Sequence, residues 1–203
     1  MTVPQAVVFG AVLVTWAGFF GAARYFRSGK GVSAARLLLM LGAVACTSAE
    51  LLAAWRTPEP PAAGVVLAAG LCGLANLLYW WSLWTHGRRR PAFALRPVPP
   101  ATFQQGGPYA LVRHPIYSAY LLAWLAGPVG TGQLWLLAPL AVMAAFFSVA
   151  ARQEEAFFGR SAFAAEYRAY RRRTGMFLPR ITRTPAGPKA PVREVLVPQR
   201  KAG

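Results

Sequence analysis

The side chains best suited to chemistry fall in two short clusters. The first is Gly107-Pro108-Tyr109-Ala110-Leu111-Val112-Arg113-His114-Pro115-Ile116-Tyr117, and the second is Arg152-Gln153-Glu154-Glu155. The first holds a guanidinium, an imidazole and two phenols where an apolar segment begins. The second holds two carboxylates and a guanidinium at the far end of the apolar hairpin that follows. Such groups are costly to hold at a membrane boundary, so they mark a functional site. An imidazole or carboxylate there can act as a base, and a guanidinium can hold an anion. The hairpin returns the chain, so Arg152, Glu154 and Glu155 are expected beside Arg113, His114 and Tyr117. The result is one pocket at a membrane surface, with water on one side and lipid on the other.

The elements that must position this pocket are hydrophobic. The chain has 203 residues, of which 56% are hydrophobic and only 14% charged. A soluble domain averages about 25% charged residues. The apolar residues gather in runs at about 5–26, 34–55 and 62–85, then in two shorter runs at 116–127 and 134–150. About 20 apolar residues cross a bilayer as a helix. The pattern therefore predicts an all-α integral membrane fold of about five spans. The last two form a hairpin turned by the breakers of residues 127–132. Beyond residue 151, Phe157, Phe158, Phe163, Tyr167 and Tyr170 alternate with charges, which predicts a cytoplasmic amphipathic helix. Residues 1–183 read as one domain, and the Pro- and Lys-rich residues 184–203 as a disordered tail. Trp80, Trp81 and Trp84 read as an interfacial belt.

Net charge is +16, with no Asp and six Glu. The cations sit beside the apolar runs, which argues for a membrane surface and against nucleic acid. With five spans, 21 of the 22 basic residues fall on one side, and only Arg56 falls on the other. That asymmetry predicts an outside N-terminus and a cytoplasmic C-terminus, in a multi-pass protein of a bacterial inner membrane. The first 25 residues lack a basic n-region and are apolar for too long to be a cleavable signal. Cys46 and Cys72 lie within apolar runs and read as small buried hydrophobes, with no metal-ligand spacing. Glu50, inside the second run, must find a partner: Asn76, the outer interface or the site itself.

The segments GPYALVRHPIYSAY, RQEEAFF and EYRAYRRRTGMFLP together resemble the isoprenylcysteine carboxyl methyltransferase family. They resemble its bacterial members and, more distantly, the phospholipid methyltransferases. The resemblance covers about residues 104–179. It implies an enzyme that binds S-adenosylmethionine between the loop before the hairpin, the hairpin ends and the C-terminal helix. Carried over, Tyr109, Arg113, His114, Pro115, Tyr117, Glu154, Tyr167, Arg171 and Arg172 would line the cofactor site. Glu155 and Arg152 would be catalytic. One departure is Phe163-Ala164, where relatives carry Phe-Gly, which weakens the expectation of a turn there.

Methyl transfer from a sulfonium is an in-line displacement that needs a fixed nucleophile and exclusion of water. Carboxylates suit the cofactor's cationic sulfur, Arg its carboxylate and an aromatic ring its adenine. Glu155, Arg113 or Arg172, and Tyr117 are available for these parts. A carboxylate acceptor needs no base, and Arg152 would hold it. A phenol or amine needs Glu155 or His114 as base. The expected acceptor is a lipophilic small molecule or lipidated substrate that enters from membrane lipid. It bears a carboxylate or another oxygen, and a thiol or lipid amine is the alternative. The rival functions are a membrane reductase using NADPH, and a non-enzymatic transporter or assembly factor.

Overall fold

A computed structural model of the chain describes residues 1–22, 26, 34–87 and 103–180, other than the side chains of Ala35 and Arg36. The expectations for Arg24, Arg27, Lys30, the Arg36 side chain, residues 88–102 and the tail from 184 lie outside the described residues. Among the described residues the chain is helical, with no strand. The helices are α1 (Val3–Ala22), α2 (Ala34–Arg56), α3 (Ala62–His86), α4 (Pro115–Thr131), α5 (Leu137–Gly159) and α6 (Ala164–Arg173). A 3₁₀ turn, Gly107–Ala110, precedes α4, and another, Leu134–Leu136, leads into α5.

Among the described residues, four segments are long and apolar enough to cross a membrane: Val3–Ala22, Leu37–Arg56, Ala62–His86 and Leu134–Gly159. The chain is thus a multi-pass membrane protein. Its α1 buries Gln5, Val8, Val12, Thr15, Phe19 and Ala22, a spacing of three and four that makes one helical face. On α3 the buried face runs through Gly64, Ala68, Cys72, Ala75, Tyr79 and Ser82. The remaining hydrophobic helix, α4, has 17 residues and spans about 25 Å, less than the ~30 Å of a bilayer core. It packs against α1, α2, α3 and α5 at once, and eleven of its 17 residues are buried. Surrounded by helices, α4 carries the residues that face inward from several directions.

The breakers at 127–132 do not form the turn expected of them. The chain stays helical through Thr131 and turns only at Gly132, whose φ of 71° is left-handed. Gly127 is there for close approach instead. A Cβ at that position would stand 2.5 Å from Glu50 Oε1. Pro128 falls in the last turns, where little helix remains to be disrupted. The hairpin itself is as expected, with α5 running back beside α4.

Glu50 is 2% exposed. Its Oε2 accepts the indole N–H of Trp16 at 3.1 Å, and its Oε1 accepts the backbone N–H of Gly127 at 3.2 Å. Asn76 is not its partner. The Asn76 amide donates to Thr15 Oγ1 at 2.8 Å and to the Cys72 carbonyl at 2.9 Å. Gly127 is about 18 Å along α4 from Pro115, at 1.5 Å per residue. Glu50 therefore joins α1, α2 and α4 at the end opposite the Arg113–His114 cluster. Cys46 and Cys72 are both buried and free.

At the other end of α5 the helix continues through Gly159, past the apolar run that ended at residue 150. A turn then separates α5 from α6 despite the missing glycine. Ser161 makes it: its hydroxyl donates to the Phe158 carbonyl at 2.8 Å and accepts the Phe163 N–H at 3.1 Å. The turn folds Phe163, Tyr167 and Tyr170 onto Phe103 and Phe158, a small aromatic core of its own.

Candidate active site

The geometry of His114 follows from Pro115. A proline fits the first position of a helix, and it drives the preceding residue out of the helical region. His114 accordingly has φ −125° and ψ 64°, and α4 begins behind it. A strap from the chain's later part fixes this corner. The N–H of Arg113 donates to the Gly175 carbonyl at 2.8 Å, and the N–H of His114 to that of Met176 at 3.1 Å. The Ser118 hydroxyl donates to the Phe177 carbonyl at 2.8 Å, and Arg113 Nη1 to that of Thr174. The motif's backbone is thereby satisfied by Thr174–Phe177 rather than by solvent.

The hairpin brings the two sequence clusters together. Arg113 Nε donates to Glu155 Oε1 at 2.7 Å, with the two side chains 7% and 5% exposed. His114 bridges both carboxylates. Its Nε2 is 3.3 Å from Glu155 Oε1 and its Nδ1 is 3.6 Å from Glu154 Oε2. The Tyr117 hydroxyl donates to Glu154 Oε1 at 2.5 Å. Arg171 Nε approaches Glu155 Oε2 at 3.4 Å from a guanidinium that is 63% exposed. The result is a continuous polar network, Tyr117–Glu154–His114–Glu155–Arg113, with one exposed cation at its edge. His114 stacks on Tyr117 at 5.5 Å, and Tyr117 on Phe147 at 4.8 Å. Flat apolar surface thus adjoins the charges.

Tyr109 stands one step out. Its hydroxyl is 2.9 Å from His86 Nε2, and its carbonyl accepts the Tyr170 hydroxyl at 2.6 Å. Burial, then the neighbouring Tyr170 and Glu154, push the Tyr109 phenol up. Burial is also the main cause holding the phenols of Tyr167 and Tyr170 up, so all three are neutral hydrogen-bonding groups near pH 7.

Of the expected site residues, Arg113, His114, Tyr117, Glu154, Glu155 and Arg171 meet in one network, and Pro115 sets its corner. Tyr109 stands beside it on the Glu154 side, where that carboxylate helps push its phenol up. Tyr167 packs in the aromatic core, stacked on Phe158 at 4.8 Å. Arg172 is exposed, and its carbonyl accepts from Arg180. Arg152 does not join the cluster. It is exposed, and among the described residues it makes no ion pair with Glu155. The long side chain runs to solvent, while Arg113 takes the place beside Glu155. Two contributors had no assigned role in the sequence reading. The strap Thr174–Phe177 was visible there only as the TGMF of the third segment. His86 was a lone histidine at a helix end, with no signal of its own.

Comparison of the chain with family models, with curated proteins and with solved structures returned no match.

Proposed function

We propose that this chain is a membrane-embedded methyltransferase. It uses S-adenosylmethionine and acts on a lipophilic acceptor at the cytoplasmic face. The observation that supports this reading most is the meeting of Arg113 and His114 with Glu154 and Glu155 across the hairpin. A purely structural boundary has no need of two adjacent carboxylates on one imidazole.

The donor set fits the cofactor in kind. Glu154 is the more open carboxylate, 32% exposed, and suits a cationic ligand. Arg171 is exposed and suits a carboxylate. The stacked His114, Tyr117 and Phe147 suit a flat base. When bound, the cofactor supplies an electrophilic methyl group. The chain's own part is to hold that group, to keep Glu155 in place through Arg113, and to exclude water. Glu155 and His114 are the groups that would take a proton from a phenol or amine, whereas a carboxylate acceptor needs none. Arg152 carries no step in this account.

In the same reading α4 counts as a fifth span, extended by its polar flanks. The N-terminus is outside, and α6 lies at the cytoplasmic surface with its arginines toward anionic lipid. The test is ligand binding by the detergent-solubilised chain. Stabilisation by S-adenosylhomocysteine supports the reading, and stabilisation by NADPH alone replaces it with the reductase.

A further inference from the structure

Four tyrosines stand around the polar network, and one hydroxyl among them meets a group that can take a proton. Tyr117 gives its hydroxyl to Glu154. The Tyr170 hydroxyl donates to the Tyr109 carbonyl, and Tyr167 lies in the aromatic core. Tyr109 meets an imidazole: its hydroxyl oxygen is 2.9 Å from His86 Nε2, and the two rings meet edge-on at 5.3 Å. Among the described residues, this is the one hydrogen bond of either side chain. The turn does not need it for anchorage. Gln104 Nε2 donates to the Thr85 carbonyl at 3.3 Å, and Tyr170 holds the Tyr109 carbonyl at 2.6 Å. Gly107, at φ 59°, sits so close to α3 that an added Cβ would be 2.5 Å from Thr85 Oγ1.

Within the network each candidate base is already engaged. Both ring nitrogens of His114 face carboxylates, which only accept, so a ring serving both carries a hydrogen on each nitrogen. Glu155 Oε1 holds Arg113, and its Oε2 lies beside Arg171. Either group takes a proton only by giving up a partner. His86 gives up none. With its hydrogen on Nδ1, the Nε2 lone pair is left to the Tyr109 hydroxyl. Tyr109 also lies within electrostatic range of Glu154 and Tyr117. Glu154 is the more open carboxylate, suited to the cationic methyl donor. The titratable groups facing Tyr109 are thus His86 on α3, Tyr117 on α4, Glu154 on α5 and Tyr170 on α6. Among the described residues, Tyr109 is the one that faces His86.

We propose that Tyr109 and His86 relay the proton of the acceptor, whose reacting group lies between Tyr109 and Glu154, and that this acceptor is a phenol. The inference rests on the methyl-transfer reading and names its acceptor class. The acceptor's O–H bond breaks as its proton passes to the Tyr109 oxygen. The Tyr109 O–H bond breaks in turn, and that proton forms the Nε2–H of an imidazolium at His86. The acceptor is left as an anion, Tyr109 ends neutral, and one proton has moved to His86. Tyr109 touches the acceptor, and His86 acts through it. The class follows from the base. An imidazole takes protons at about pH 6.5 and a phenol gives them at about pH 10, a gap that a positioned base can cross. An aliphatic alcohol is too weak an acid for this base. A carboxylate is already ionised and has no use for a relay. A lipid amine is a cation at neutral pH and pairs with Glu154 instead.

The probe is a nitrophenol bearing an alkyl chain, whose anion absorbs visible light. It is titrated into the full chain in lipid nanodiscs, with nonylphenol as competitor. An apolar site alone disfavours the anion, whereas a hydrogen bond from Tyr109 favours it. The expected result is saturable binding that nonylphenol displaces. The anion-to-phenol ratio of the bound probe should fall about tenfold in Tyr109→Phe and in His86→Gln. The glutamine keeps a hydrogen bond to Tyr109 but takes no proton, so a merely structural His86 predicts an unchanged ratio there. In His86→Ala, added imidazole should restore the ratio. Absence of saturable binding, an unchanged ratio in either of the first two variants, or absence of rescue overturns the inference. Displacement by an alkanethiol but not by nonylphenol overturns the phenol. None of these readouts needs S-adenosylmethionine. A failure of the methyl-transfer reading shows in the S-adenosylhomocysteine titration, so the two failures are told apart.

Discussion

At the scale of single residues, the buried pair Arg113–Glu155 carries the largest energetic consequence. Removing one partner of a buried ion pair leaves an uncompensated charge and costs about 3–5 kcal/mol. Arg113→Ala is therefore expected to lower stability in detergent by about 3 kcal/mol. Arg152→Ala, on the exposed side, should change it by no more than about 0.5 kcal/mol. Thermal or denaturant unfolding of the two variants checks the contrast, and equal losses would return Arg152 to the cluster. Arg113→Lys is expected to fail as well. A lysine cannot donate both to Glu155 and to the Thr174 carbonyl from one planar group. The residue types of this network were legible in the sequence because polar groups at a membrane boundary are conspicuous. Their pairing was not. Arg152 and Glu155 lie three apart and so share a helix face, but spacing does not say which long side chain turns to water. Nor did the sequence show that Thr174–Phe177 would hold Arg113 from behind.

At the scale of elements, α4 shows why glycine and proline mislead when read only as breakers. In a packed helix bundle a glycine also marks where another group comes close. Gly127 leaves room for the Glu50 carboxyl, which could not be inferred without knowing that α2 crosses α4 there. Gly127→Ala would press a methyl against Glu50 Oε1, and such overpacking costs about 1–3 kcal/mol. Glu50→Ala would strand the Trp16 indole N–H and leave a cavity, at a similar cost of about 1–3 kcal/mol. Melting temperatures should fall in both. Neither variant should remove S-adenosylhomocysteine binding, because Glu50 lies at the far end of α4 from His114. Loss of binding in a variant that still folds would mean that Glu50 acts on the site. The turn between α5 and α6 teaches a related lesson. The family pattern looked for glycine at position 164, and Ser161 does the same work through its hydroxyl three residues earlier.

At the scale of the whole molecule, composition made the all-helical membrane class plain, since long apolar runs with few charges have few other solutions. The helix count was less plain, because α4 is short and is covered by neighbours rather than by lipid along much of its length. Twenty-one of the 22 basic residues fall on one face if α4 counts as a span. Single cysteines placed in residues 88–96 and beside Lys189 should then be labelled from the same side of the membrane, in a chain from which Cys46 and Cys72 have been replaced. Labelling from opposite sides would exclude five spans. The central claim is that the network of Arg113, His114, Glu154 and Glu155 forms a methyl-donor site. The most direct measurement is calorimetric titration of the purified chain with S-adenosylhomocysteine and, separately, with NADPH, repeated on His114→Ala. The account predicts saturable binding of the first ligand, none of the second, and a loss of at least about tenfold in affinity for the variant. No binding of S-adenosylhomocysteine to a folded chain, or binding unchanged in His114→Ala, would contradict it.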